Sequence, residues 1–407
     1  MYTYYLSMTV ASPTDTPATA DLSPKSGRPV YLDCNATTPM DPRVGEEVMK
    51  YLVHEFGNAG SRTHAYGQTA KHRVKRAREE VAAVVGAQPD EVFFTSGATE
   101  SDNLAILGLA AHGRATGKRH IISSQIEHKA VLEPLEVLSK QGFEVTLLAP
   151  TDGGWIDPEN VRRALRMDTL LVSIMAVNNE TGVIQPLAEI AEILSDHDAF
   201  FHVDGAQGFG KLVGPLRERR IDLVSISGHK VYAPKGVGAL VARRRRFTRP
   251  PLQPLMYGGG QERGLRPGTL PVALIAGLGL ASALALAESA DRTRRCMGIK
   301  NEALSALEPL GIALNGDPER TVPHTLNFSA PGVDSEAAIV ALKDVAAVSN
   351  GSACTSQSYK PSHVLTAARL PTQQVTGALR LSWSHLTPSV SWGAIAERLA
   401  SLAKAQD

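Results

Sequence analysis

From Tyr31 onward the chain alternates short apolar runs with segments whose apolar positions recur at helical spacing. Residues 91–95, 120–123, 169–174, 200–203 and 222–226 read as short, continuously apolar strands, and the intervals 101–111, 130–139 and 187–194 read as helices. Strands without polar alternation are buried on both faces, so the pattern predicts an α/β fold whose sheet is mainly parallel and flanked by helices. In such a sheet the carboxyl ends of the strands share one edge, where ligands bind. Residues 271–307 are rich in Ala and Leu, with charges gathering only after Glu288, and predict one long helix joining two domains. Beyond it, residues 325–329, 346–349 and 378–382 predict strands of a smaller α+β domain. Residues 1–28 carry Thr, Pro, Ala, Ser and Asp without a sustained period, which predicts a disordered tail. The expected division is therefore a tail over 1–28, a large domain over 29–285 whose first residues join the small domain, and a small domain over 286–407.

Composition narrows the class without naming the chemistry. Lys and Arg total 42 against 41 Asp and Glu, a formal net charge of +1, so no global field draws the protein to nucleic acid or anionic lipid. Cys34, Cys296 and Cys354 are too few and too scattered for a disulfide framework, which suits a reducing cytoplasm. No CxxC pair or His/Cys cluster suggests a metal. No apolar run has the length of a membrane span, and the N-terminus lacks the pattern of a secretory signal, so neither a membrane nor a secreted location is expected. The run Arg243-Arg244-Arg245-Arg246 sits at a strand end, and its plain reading is a solvated edge.

The chemistry collects at predicted strand ends. Ser227-Gly228-His229-Lys230 follows a buried strand, and Asp204 closes another. A lysine so placed can form an imine with an aldehyde cofactor, and a buried aspartate can keep a pyridine nitrogen protonated; together they describe a pyridoxal 5'-phosphate site. Either half alone is weak, since lysines are usually solvated and strand-terminal aspartates usually form turns. Further pieces fall in the same order. Ser96-Gly97-Ala98-Thr99 follows a strand and opens a helix, a place for a phosphate, although Thr99 is also a good N-cap. Ser227 and His229 offer more phosphate donors, and Gln207 is placed to reach the ring hydroxyl. His128, after another strand, is placed to stack on the ring and move protons, against the plain reading of a satisfied structural histidine. Asn178 and Asn179 offer amides to cofactor or substrate, or form a turn.

Cys354 differs from the other cysteines in setting. It lies in the small, polar segment Gly351-Ser352-Ala353-Cys354-Thr355-Ser356, which reads as an exposed loop whose thiol can reach a substrate. Cys34 reads as packed, and Cys296 has no evident partner. Arg380 can hold a carboxylate bidentately, or serve in an ion pair.

Placed side by side, these segments resemble the cysteine desulfurases of the NifS/IscS-like group, within the fold-type I pyridoxal phosphate enzymes of the class V aminotransferase superfamily. The motifs are Thr95-Ser96-Gly97-Ala98-Thr99-Glu100-Ser101-Asp102-Asn103, Glu127-His128-Lys129, Val177-Asn178-Asn179-Glu180, His202-Val203-Asp204, Ser227-Gly228-His229-Lys230, Gly258-Gly259-Gly260-Gln261-Glu262-Arg263, Gly268-Thr269-Leu270-Pro271 and the Cys354 segment. The resemblance runs from Tyr31 to about Arg380 and implies a seven-stranded central sheet. It implies that Lys230 carries the cofactor, Asp204 pairs with its ring nitrogen, His128 stacks on the ring, and Asn179 and Gln207 touch its polar groups. It also implies that Ala98, Thr99, Ser227 and His229 hold the phosphate, with Thr269 reaching in from a second subunit of a homodimer. Arg380, with Asn179, would bind the carboxylate of L-cysteine. Cys354 would accept the sulfur as a persulfide and pass it to an acceptor protein for iron–sulfur clusters, tRNA thiolation or DNA phosphorothioation (Dnd). Gln261 and Pro267 depart from the common pattern, where many relatives have His and Ser. Selenocysteine lyase, an aminotransferase or a docking scaffold without catalysis are the rival readings, and Cys354 separates the first reading from transamination, which needs no thiol.

Overall fold

The computed structural model describes residues 27–350 and 361–404. Most of the tail expected over 1–28, and Cys354 with its segment, lie outside the described residues. The described strands are β1 Val30–Tyr31, β2 Val92–Thr95, β3 His120–Ser124, β4 Glu144–Leu148, β5 Thr169–Ser173, β6 Phe200–Asp204, β7 Leu223–Ser227, β8 Gly238–Ala242, β9 Ala313–Leu314, β10 Thr325–Ser329, β11 Ala346–Ala347 and β12 Ala378–Ser382.

Seven of them form one sheet in the order β2-β8-β7-β6-β5-β3-β4. β3 to β7 run parallel, whereas β8 is antiparallel to both of its neighbours. That double reversal turns β2 back to the direction of β7, so the carboxyl ends of β2, β3, β5, β6 and β7 share an edge. Every residue of β2, β3, β5, β7 and β8 is buried, the signature of a sheet covered on both faces. One core cluster packs Val172, Val203, Val224 and Val241 beneath the helices Ala65–Val85 and Val272–Ala287, while another packs Ile121, Leu171, Leu223 and Leu240 on the opposite face. A second sheet, β12-β10-β9, is antiparallel and builds its own core around Phe328, Leu381 and Trp383. β1 pairs in parallel with β11, tying the start of the described chain to this second core.

Two sequence readings need correction. The long helix expected over 271–307 is two helices, Val272–Ala287 and Ser289–Leu307, bent by 76° at Glu288. Glu288 sits at the corner because Arg43 donates to it at 2.6 Å and Arg292 at 2.9 Å. Arg43 is far away in sequence, and local periodicity carries no trace of it. The arginine run is a solvated edge only in part, since Arg244 and Arg246 are exposed. Arg243 is buried and donates to the carbonyl oxygens of Glu218, Ile221, Val85 and Leu216, while Arg245 pairs with Asp222 at 2.5 Å. These guanidiniums close helix and loop ends that would otherwise leave carbonyls unpaired. No single helix among the described residues is long and apolar enough to cross a membrane.

Candidate active site

The strand edge opens into a cavity of about 490 Å³. Its wall contains Ala98, Thr99, His128, Asn179, Asp204, Gln207, Ser227, His229, Lys230 and Arg380, each singled out from the sequence. Thr269 is exposed and outside this lining. The wall also holds Asn35, Asp102, Met175 and Lys235, which the sequence did not mark.

Lys230 stands on the 3-10 turn Gly228–Lys230 directly after β7. Its Nζ donates to the carbonyl oxygen of Ala36 at 2.8 Å and, in a shorter contact, to that of Asn35. The amine is thereby held at the cavity wall by main-chain oxygens. Asp204 ends β6, and its Oδ1 accepts from Ala206 N at 2.9 Å. Burial, and then the nearby Asp102 carboxyl, push Asp204 up to about 6. A cation brought against Asp204 would reverse that shift, because an opposite charge favours the ionised form.

His128 caps the helix Lys129–Lys140, and its Nδ1 accepts from Ala130 N at 3.1 Å. The cap fixes the tautomer: the proton of the neutral ring belongs on Nε2. Burial holds the imidazole below its ordinary value, opposed by the charge of Asp204 and reinforced by that of Lys230. His229 is also kept neutral, its pKa lowered to about 4 by burial and then by Lys230 and Lys235, while Thr37 Oγ1 meets its Nδ1 at 3.1 Å.

The turn after β2 has the form of an anion cradle. The helix Ala98–Gly108 starts at the N-cap Gly97 with no side chain capping it, so its first amides are left for a ligand. Thr99 lies inside the helix and is not the cap. Burial opposes the charge on Glu100, but Arg266 at 2.8 Å and the Ser96 amide at 2.8 Å hold it below the usual carboxylate range and pin the turn. On the far side, a Cβ on Gly238 would come within 2.6 Å of Gly97 Cα, so only glycine lets β8 approach the cradle this closely.

Asn178 and Asn179 divide their work. Asn178 is structural, its Nδ2 donating to Ile126 O at 3.1 Å and its Oδ1 accepting from the Glu180 and Thr181 amides. Asn179 faces the cavity, and its carbonyl accepts from Arg380 Nη1 at 3.0 Å and Asn35 Nδ2 at 3.1 Å. Arg380, 1 % exposed, comes from β12 in the second sheet.

A pyridoxal phosphate fits this wall. Gln207 Oε1 and Arg380 Nε are buried without a hydrogen-bond partner among the described residues, and the buried Asp102 carboxyl has only the Ser225 hydroxyl and, at 3.4 Å, His202 Nε2 beside it. Buried polar atoms are rarely left so, and these face a cavity with room for a polar ligand to pair them. An amine, a carboxylate and an uncapped helix start supply the three contacts that the aldehyde, ring nitrogen and phosphate of this cofactor require.

The model of the family Aminotransferase class-V matches residues 30–388. The chain belongs to this family. It is 48% identical over 362 residues to the cysteine desulfurase IscS of Cronobacter sakazakii, covering 88% of this chain and 89% of the relative. Among solved structures it resembles DndA from Streptomyces lividans, with 53% identity, a TM-score of 0.77 and coverage of 87% of this chain and 99% of that one. It also resembles SspA in complex with cysteine, at 37% identity and a TM-score of 0.77, covering 88% of this chain and 100% of that one. The fold expectation is met: the sheet is α/β, mainly parallel and flanked by helices. The cofactor of this family is pyridoxal 5'-phosphate.

Proposed function

We propose that the protein is a pyridoxal phosphate-dependent cysteine desulfurase that converts L-cysteine to L-alanine and leaves the sulfur as a persulfide on Cys354. The observation that carries the reading is the meeting of Lys230, Asp204, His128 and the 96–99 cradle in one cavity, in a chain 48% identical to a cysteine desulfurase. Within the proposal, Lys230 holds the cofactor, Ala98, Thr99, Ser227 and His229 bind its phosphate, Gln207 meets the ring hydroxyl, and Asp204 keeps a proton on the ring nitrogen. When bound, the cofactor takes up the electron pair left at the substrate Cα.

The residues of the chain perform the rest. Lys230, whose free amine lies against the carbonyl oxygens of Asn35 and Ala36, would take the Cα proton as general base. His128, neutral with its proton on Nε2, delivers and accepts protons across the ring face. Arg380 holds the substrate carboxylate beside Asn179, which fixes which Cα bond faces Lys230. The Cys354 thiolate attacks the substrate sulfur, so that the new S–S bond forms as the Cβ–S bond breaks. An unperturbed thiol ionises at about 8.5, so this step gains from a base nearby.

The assembly is part of the same proposal. Met49, Leu52, Val53, Phe56 and Tyr66 are large, exposed and near one another around the helix Pro42–Val53, and Tyr257 is exposed on the segment leading to Thr269. An apolar surface of this kind suits a homodimer in which Thr269 reaches the partner's phosphate site. Gly268 N donates to Gln261 Oε1 at 2.9 Å, so the departures at Gln261 and Pro267 leave the Thr269 segment braced. As the destination of the sulfur we propose a DNA phosphorothioation pathway, on the 53% identity to DndA across 87% of this chain. A large domain over 29–285 then carries the cofactor and a small one over 286–407 the accepting cysteine, in a cytoplasmic enzyme.

One assay tests the reading. With L-cysteine the holoenzyme forms alanine and a persulfide in equal amounts; Cys354→Ser keeps the cofactor absorbance and loses the persulfide. A keto acid in place of alanine would make it an aminotransferase instead.

A further inference from the structure

Arg380 is not idle. Its Nη2 donates to Asp33 Oδ1 at 2.6 Å, its Nη1 to the Asn179 carbonyl at 3.0 Å, and its Nε has no partner among the described residues. A carboxylate gripped bidentately needs two parallel N–H groups. Side-on, these come from Nε and the adjacent Nη2; end-on, from Nη1 and Nη2. Nη2 has two N–H bonds and Asp33 takes one of them, so what an incoming carboxylate meets from either direction is the negative charge of Asp33 at 2.6 Å from Nη2.

We infer that Asp33 is an internal stand-in for the substrate carboxylate, paired with Arg380 between turnovers and exchanged for the α-carboxylate when L-cysteine binds. The inference rests on the reading that Arg380 receives that carboxylate. The exchange is feasible because it trades one carboxylate for another. A buried guanidinium left unpaired would be strongly unfavourable, and here it is paired before and after. Asp33 itself has somewhere to go: its side chain is 22% exposed, whereas Arg380 is almost wholly buried. Only the side chain has to turn, since the Asp33 carbonyl is fixed by the Ala36 amide at 3.0 Å and by Tyr31 Oη at 2.9 Å, and the residue is bridged to Ser382. The same short segment presents the Asn35 and Ala36 carbonyls to Lys230, so the carboxylate pocket and the amine seat share one rigid turn.

Asp33 is thus a positioning residue that keeps Arg380 in its binding rotamer and sets a competitor against the substrate. It also screens the fork from weakly held anions, which raises KM as the consequence of selectivity. In the holoenzyme, Asp33→Asn keeps the size of the side chain and removes its charge. KM for L-cysteine is expected to fall about three- to tenfold, with kcat changing less than KM. Binding of 2-aminoethanethiol, which lacks the carboxylate, is followed by the cofactor absorbance and is expected to match the unaltered enzyme. An unchanged or raised KM overturns the inference, and so does equal tightening of both ligands, which would mean a general opening of the site. Asp33→Ser is carried in parallel, so that a folding defect specific to Asn does not decide the matter. Arg380→Lys separates the two levels. If it leaves KM for L-cysteine unchanged, the assignment of Arg380 fails and the exchange falls with it. If it raises KM steeply while neither Asp33 variant lowers it, the exchange alone fails.

Discussion

Two groups of buried and half-buried ionisable side chains meet at residues 34–36, and they differ in the space they face. On one side Asp204, Asp102, His128 and Lys230 surround the 490 Å³ cavity. On the other, Lys211, Cys296 and His324 surround a void of about 20 Å³, with Cys34 nearby. Burial perturbs members of each group. Asp102 is pushed up to about 7, Cys34 to about 12 and Cys296 to about 11, while Lys211 is lowered to about 8. Lys211 Nζ and His324 Nε2 also lack hydrogen-bond partners among the described residues. By its perturbed groups alone the second cluster would pass for an active site. It has room for about one water molecule and none for a substrate. Access, more than pKa perturbation, separates the chemistry from its imitation.

The largest effect that sharpens this contrast is at the lysines. Lys230→Ala is expected to remove the imine absorbance and lower desulfurase turnover at least about 10³-fold. Lys211→Met, a buried lysine of similar length, should keep absorbance and activity within about twofold. If Lys211→Met instead lost the cofactor spectrum, the two clusters would be one functional unit. Next come the other cavity groups: Asp204→Asn should lower kcat about 10²- to 10³-fold, with a cofactor spectrum that no longer reports a protonated ring. His128→Gln should lower kcat about 10²-fold while cofactor is still bound. A His128 variant with full activity would return that residue to its structural role as a helix cap.

The smallest effect is on stability and has a definite sign. Lys211 titrates at about 8 in the folded protein and near its ordinary value of about 10.5 when unfolded. Between those values the unfolded chain binds the extra proton, so stability rises with pH; below about 8 the buried charge costs its full amount. Lys211→Met should therefore stabilise the protein by about 1–4 kcal/mol at pH 7, and the gain should shrink as pH rises from about 8 to 10. Denaturant melts at several pH values check this. A gain that grew with pH would mean that Lys211 is stabilised by an anion in its void.

The residues explain what could be read from sequence. Asp204 and Lys230 were legible because each ends a strand of continuous apolar residues, and strand ends of a parallel sheet share an edge. The cradle at 96–99 was legible for the same reason. Asn35, Asp102 and Lys235 were not, because each belongs to the site only through its place in three dimensions. Asn35 arrives from the first turn of the described chain, and Asp102 lies within the helix Ala98–Gly108, where its periodicity reads as an ordinary polar position. β4 escaped notice because it is the edge strand and four of its five residues are not buried, so it lacks the apolar run of its neighbours. The break at Glu288 and the buried Arg243 depend on partners far away along the chain, Arg43 in one case and Val85 with Leu216 in the other. Local pattern encodes elements and their ends; it does not encode which distant carboxylate or carbonyl will meet an arginine.

Lys230, and no other lysine, is expected to bear the cofactor. Reduction of the holoenzyme with borohydride, followed by peptide mass mapping, tests it directly. One pyridoxyl-phosphate group per chain is expected, on the peptide containing Lys230. The same mass on the Lys211 or Lys235 peptide, or on none, would contradict it.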